Sequence, residues 1–138
     1  MADDPWLRLD WIGPGMDLIA QGGHTGQLYV LKDGELEVLR DGTHITTIKT
    51  PGSVIGEMSV LLDAPQTATV RAVTGVDYFV IDNAIEVLRS HPEWLLQISR
   101  LLAQRVKETT AQLARGRGED EAMVLPQNFI SSWGDPAI

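Results

Sequence analysis

Gly56-Glu57-Met58-Ser59-Val60-Leu61-Leu62-Asp63-Ala64-Pro65-Gln66-Thr67-Ala68-Thr69-Val70-Arg71-Ala72 is the stretch that decides the reading of this chain. Val54-Ile55 closes a strand, and Gly56 then permits a tight turn. Glu57 to Leu62 has the residue types of a short helix. Backbone N–H groups in the first turn of a helix lack internal partners and carry the positive end of the dipole, so such a turn accepts anions. Glu57 lies at this turn, where its carboxylate can accept hydrogen bonds from a hydroxyl. Thr67 offers a hydroxyl donor, and its backbone N–H together with that of Ala68 can complete a cradle. On spacing alone the simplest reading is a turn, a helical turn and a strand, with no ligand.

These residues resemble the phosphate-binding cassette of cyclic nucleotide-binding domains, the β-roll of cyclic-AMP receptor proteins and protein kinase regulatory subunits. That cassette reads Gly-Glu, two small or apolar residues, a short spacer, Pro-Arg, a small or hydroxyl residue, Ala-Thr and a strand. Every landmark is present except one: Gln66 stands where the family carries its phosphate-pairing arginine. The resemblance implies a ligand site made of Gly56, Glu57, Met58, Ser59, Gln66, Thr67 and Ala68, with Glu57 on the ribose 2′-OH. It implies cyclic AMP or cyclic GMP as ligand and no further cofactor. In the family, Thr at the position of Thr67 is often associated with guanine-containing cyclic nucleotides. An Arg–phosphate pair is charge-assisted and often bidentate. Losing one member of a buried charge pair costs about 2–5 kcal/mol, which is roughly 30-fold to several-thousand-fold in affinity. Gln66 still donates through its amide but brings no charge. Arg71 is no obvious substitute, because a regular strand points it to the face opposite Gln66.

The resemblance extends upstream. Gly26-Gln27-Leu28-Tyr29-Val30-Leu31-Lys32-Asp33-Gly34-Glu35-Leu36-Glu37-Val38 looks like the family's early hairpin, and the match covers about Trp11 to Val106. Gln21 and Gly23 replace acidic residues common in the family, which reads as structural drift.

At 138 residues the chain is long enough for one domain with its own core. It has no cysteine, which excludes disulfides and thiolate metal sites. A net charge of −8 and a pI near 4.7 argue against a general binder of nucleic acid or anionic membrane. No signal peptide or membrane-length apolar run is apparent, so the expected location is the cytoplasm.

Short strands with turn punctuation argue a sandwich, roll or barrel. The expected strands are Leu9–Ile12, Asp17–Ala20, Leu28–Leu31, Glu35–Leu39, His44–Lys49, Val54–Ile55, Thr67–Val73 and Val76–Ile81. Asp33-Gly34 and Asp41-Gly42 both read as two-residue hairpin turns. Asp82 reads as the N-cap of a helix through about Arg89, and Ser90 with Glu93 as a capping box for a helix to about Leu113. The fold class is therefore mainly β: an antiparallel, jelly-roll-like β-roll over 9–81, then a short and a long helix over 82–115. Residues 1–8 form a lead-in and 116–138 a tail.

Trp94, Leu95, Ile98, Leu101, Leu102 and Val106 share one helical face. That stripe fits packing against the roll, a homodimer seam along 92–113, or a lid over the base. In the tail, Met123-Val124-Leu125-Pro126 and Phe129-Ile130-Ser131-Ser132-Trp133 fit either a patch folded back on the roll or a docking segment. The 23 residues after Arg115 are too few for the helix-turn-helix module of the family's bacterial transcription factors, so the expectation is a bare sensory module with its effector on another chain.

Enzymatic readings find little support. The metal enzymes of related β-rolls need clustered His and carboxylate ligands, whereas His24, His44 and His91 are scattered. Gly-x-Ser-x-Gly and P-loop motifs are absent. Two functions remain. The first is a non-enzymatic regulatory sensor of a cyclic nucleotide or related anion, signalling to a protein partner through its C-terminal helices. The alternative is a degenerate pocket used as a protein–protein scaffold.

Overall fold

In the computed structural model, which describes residues 6–114 and 123–124, each punctuated apolar run becomes a strand. The strands are β1 Leu7–Ile12, β2 Asp17–Ile19, β3 Leu28–Asp33, β4 Leu36–Arg40, β5 Thr43–Ile48, β6 Ser53–Ile55, β7 Thr69–Ala72, β8 Val76–Ile81 and β9 Met123–Val124. The helices are α1 Glu57–Leu62, α2 Ala84–Ser90 and α3 Pro92–Ala114. One sheet has the order β1-β8-β3-β6-β9 and the other β2-β7-β4-β5, with every pairing antiparallel. This is the expected β-roll followed by helices.

Alternation within β3 explains how the two layers of core arise. Tyr29 and Leu31 point between the sheets, where they meet Leu36, Ile48, Val70 and Val80. Leu28 and Val30 point the other way and pack with Phe79 and Ile81 against Val87, Leu88, Trp94 and Ile98 of the helices. A strand covered on both faces must be apolar at successive positions, which is why Leu28-Tyr29-Val30-Leu31 shows no alternation.

Asp41-Gly42 is a true hairpin turn: Arg40 faces Thr43, and both turn residues have positive φ, 52° and 80°. Asp33-Gly34 is not a hairpin turn. β3 pairs with β6 and β8, β4 pairs with β5 and β7, and the turn carries the chain from one sheet to the other. Gly34 sits there at φ 112°, and an added Cβ would meet the Gly75 carbonyl oxygen at 2.5 Å and Val76 Cα at 2.9 Å. Close approach of two backbones, rather than hairpin geometry, requires this glycine.

Two helix starts also differ from expectation. Asn83, with φ 47°, is the N-cap of α2 and makes no side-chain cap bond. Asp82 instead accepts from Arg8 Nε at 3.0 Å and Gln27 Nε2 at 2.7 Å, which tie the end of β8 to β1 and to the residue before β3. Ser90 belongs to α2 and donates to the Glu86 carbonyl, so no capping box forms. The His91 carbonyl accepts the Trp94 and Leu95 N–H groups, and Pro92 opens α3. His91 stacks on Trp94 with ring centroids 4.1 Å apart, and Trp6 meets Trp94 edge-on at 5.0 Å.

The first half of α3 packs on the roll through Trp94 and Ile98, with Leu95, Leu101 and Leu102 partly covered. Val106, from the same stripe, is 65% exposed. Met123–Val124 returns to the roll and pairs antiparallel with β6, Val54 opposite Met123. The remaining tail segments singled out above, Leu125-Pro126 and Phe129 to Trp133, lie outside the described residues. Among the described residues no helix is long and apolar enough to cross a membrane.

Candidate functional site

The cassette is built around the end of β6. Gly56 takes φ 90°, and the position of a Cβ there lies 3.4 Å from Gln66 Nε2, the Gln27 carbonyl oxygen and Ile19 Cδ1. A Cβ there would only touch these atoms, so a side chain at 56 would cost mainly through the positive φ of the turn. α1 follows and ends at Asp63, whose backbone turns at φ 50° and donates to the Ser59 carbonyl. Ser59 is buried, and its hydroxyl donates to the Ala64 carbonyl. Its side chain therefore holds the cassette's return rather than facing the cavity described below.

After Pro65 the chain is clamped. Gln66 N–H donates to the Gly23 carbonyl and Gly22 N–H donates to the Gln66 carbonyl, both at 2.8 Å. The Gln66 backbone is thus used by the Gly22-Gly23 loop, and its side-chain amide is left as the polar group on the Gly56 side. Gln21 extends the clamp. Its N–H donates to Thr69 Oγ1, and its side chain pairs twice with Asp41, Nε2 to Oδ1 at 2.8 Å and Oε1 from N–H at 2.9 Å. Gln21 and Gly23, which look like drift in sequence, join the cassette to the β4–β5 turn.

A cavity of about 440 Å³ opens beside the cassette. Ile19, Ile48, Ile55 and Val70 form its apolar floor. Six of the seven expected site residues line it: Gly56, Glu57, Met58, Gln66, Thr67 and Ala68. Val38 and Arg40 of β4 with Ile45 and Thr46 of β5 form another wall. A register shift makes that wall: Val38 faces Thr46 but Leu39 faces His44, so Ile45 is the extra residue of a bulge. Arg105 of α3 completes the lining.

Burial pushes the Glu57 carboxyl above the usual carboxylate range. Its own backbone N–H and the charge of Arg105 pull the other way. Arg71 is elsewhere, with Nε donating to Asp17 at 2.8 Å on the neighbouring strand, as its place in β7 implies. The three histidines have separate partners: His24 meets Asp63, His44 meets Glu37, and His91 Nδ1 meets the Val87 carbonyl. Among the described residues no group of three or more His, Cys, Asp or Glu is placed to hold a metal.

Sequence reasoning missed Arg40 and Arg105. The signals were present. Arg40 follows Leu36 and Val38 at period two along β4. Arg105 follows Ile98, Leu101 and Leu102 at helical spacing, a cation inside an apolar stripe.

A profile of the cyclic nucleotide-binding domain matches residues 11–85. Among curated proteins, the chain is 34% identical to the cGMP-dependent protein kinase egl-4 of Caenorhabditis elegans, over 83% of this chain and 15% of that protein. It is 29% identical to the CRP-like cAMP-activated global transcriptional regulator of Mycobacterium tuberculosis, over 87% of this chain and 59% of that protein. The chain thus spans only part of the length of each relative. Two crystal structures share the fold, each with a TM-score of 0.68. One is a cyclic nucleotide-binding domain from Methylobacillus flagellatus, 21% identical over 83% of this chain and 70% of that chain. The other is the catabolite activator protein of Thermus thermophilus, 22% identical over 79% and 54%. By the landmarks of its cassette, its β-roll and the profile match, the chain belongs to the cyclic nucleotide-binding domain family.

Proposed function

We propose that this chain is a non-enzymatic regulatory module that binds one cyclic nucleotide in the 440 Å³ cavity and reports its occupancy through α3. The observation that carries the reading is convergence: the cassette residues and Arg105 of the long helix line the same space. Glu57 takes a ribose hydroxyl, the Thr67 and Ala68 end of the cassette and the Gln66 amide face the phosphate, and the apolar floor takes the base. The names of the two relatives quoted above, one cGMP-dependent and one cAMP-activated, support cyclic AMP or cyclic GMP as the ligand class.

A ligand shifts a conformational equilibrium only by its differential affinity for the two states. A nucleotide touching both the cassette and Arg105 favours the arrangement in which α3 lies over the cavity. The exposed second half of α3, with Val106 and Leu113, is the surface left for a protein partner or a second copy. One observation favours the alternative of a protein–protein scaffold: a neutral amide, Gln66, stands where the family places a cation. Hydrogen exchange of α3 amides with and without cyclic AMP or cyclic GMP tests the proposal. Protection of α3 on ligand addition supports it. Binding without change in α3 sinks the signalling half, and absence of any binding favours the scaffold.

A further inference from the structure

The charged groups lining the cavity, among the described residues, are Glu57, Arg105 and Arg40. Arg105 acts electrostatically on Glu57. Arg40 has no ion pair among the described residues. Its sequence neighbour Asp41 has a carboxylate that accepts from Gln21. The Gln21 clamp and the two positive-φ residues of the turn fix the backbone beside Arg40. At period two after Leu36 and Val38, Arg40 lies at the exposed end of β4. Within a protein of net charge −8, Arg40 is thus a cation at the cavity with no ion pair among the described residues.

We infer that Arg40 supplies the cation for the ligand's anionic group, in place of the charge absent at Gln66. The inference rests on the proposed nucleotide site and names a residue and a charge for it. A cyclic phosphodiester carries a single negative charge, which one guanidinium matches. A sphere of 440 Å³ is about 9 Å across, so a ligand that fills the space lies near both Arg40 and the cassette residues that line it. The guanidinium gives a planar, always-charged donor set suited to phosphate oxygens. Its seat on β4 puts the charge at the same cavity as the cassette, on a separate element of the fold. The phosphate is thereby held between Arg40 and the Gln66 amide instead of by the cassette alone.

The test compares the full chain with Arg40→Gln and Arg40→Lys. Calorimetric titrations use cyclic AMP and cyclic GMP, with adenosine and guanosine as the same ligands lacking phosphate. Arg40→Gln is expected to weaken cyclic nucleotide binding about 10- to 100-fold and to leave nucleoside affinity unchanged. Arg40→Lys is expected to retain part of the affinity, and the salt dependence of cyclic nucleotide binding to flatten in Arg40→Gln. Cyclic nucleotide binding by wild type that survives Arg40→Gln undiminished overturns the inference and leaves the proposed function standing. Equal losses for nucleoside and nucleotide also overturn it, because Arg40 would then act on the base or the fold. If wild type binds none of the four compounds, the proposed function falls and the inference with it. Arg40 is exposed and outside both core clusters, so the variants are expected to fold, which thermal unfolding verifies.

Discussion

Gln66→Arg restores the charge that the cassette lacks, and the structure indicates what it should do. The backbone at 66 is held at both its N–H and its carbonyl by Gly22 and Gly23, so the new side chain leaves from the same point in the same direction. The present amide nitrogen lies 3.4 Å from the position of a Gly56 Cβ, at the turn into α1. An arginine there reaches the cradle with a charged fork instead of a neutral amide. A charge-assisted contact of this kind, half-buried as Gln66 is, contributes about 2–3 kcal/mol. That corresponds to roughly 30- to 150-fold tighter binding of cyclic AMP or cyclic GMP. The assay is calorimetric titration of wild type and variant, with unfolding curves to show that both are native. Nucleoside affinity is the control and should not change, because the new contact is to phosphate. A natively folded Gln66→Arg with wild-type affinity for both cyclic nucleotides would refute the placement of residue 66 at the phosphate.

Other substitutions separate site from scaffold. Glu57→Gln should weaken cyclic nucleotide binding about 10- to 100-fold, by loss of a charged acceptor for the ribose. The unliganded protein should respond in the opposite sense. The Glu57 carboxyl is raised in the folded state, so its contribution to stability is complete below the ordinary carboxylate pKa and is lost as pH rises through the folded value. Glu57→Gln should therefore remove that fall, seen as a flatter stability–pH profile in urea titrations above the ordinary carboxylate range. Arg105→Gln should drive the Glu57 carboxyl further up, measured by carboxyl-carbon NMR titration, and an unmoved Glu57 would contradict their electrostatic contact. Ile98→Ala should cost about 2–5 kcal/mol in chemical denaturation because Ile98 is wholly buried. Gly34→Ala should cost about 2–4 kcal/mol, combining positive-φ strain with the clash against Gly75.

Much of this molecule was legible in its sequence, for identifiable reasons. Gly56-Glu57 and Pro65 through Thr69 fix local backbone geometry, and geometry at that scale is written in residue type. The strands were legible because turn residues separate them. Sheet membership was not. Asp33-Gly34 and Asp41-Gly42 look alike locally, yet one closes a hairpin and the other crosses between sheets, a difference set by the Gly34–Gly75 contact between distant segments. Asp82 looked like a cap because an acidic residue before a helix is a good acceptor. Arg8 of β1 and Gln27, just before β3, engage it first. Of the site, the cassette was readable, whereas residue type alone does not reveal that the Ser59 hydroxyl turns to the Ala64 carbonyl. Arg40 and Arg105 were missed because their contribution depends on β4 and α3 meeting the same cavity, which no local pattern encodes.

The central claim is that the cavity beside Gly56 and Gln66 takes a cyclic nucleotide. Calorimetric titration of the wild-type protein with cyclic AMP and cyclic GMP tests it most directly, with Gln66→Arg run in parallel. Saturable heat at one nucleotide per chain, strengthened in Gln66→Arg, is the predicted result. Silence from both proteins with both nucleotides would contradict the account.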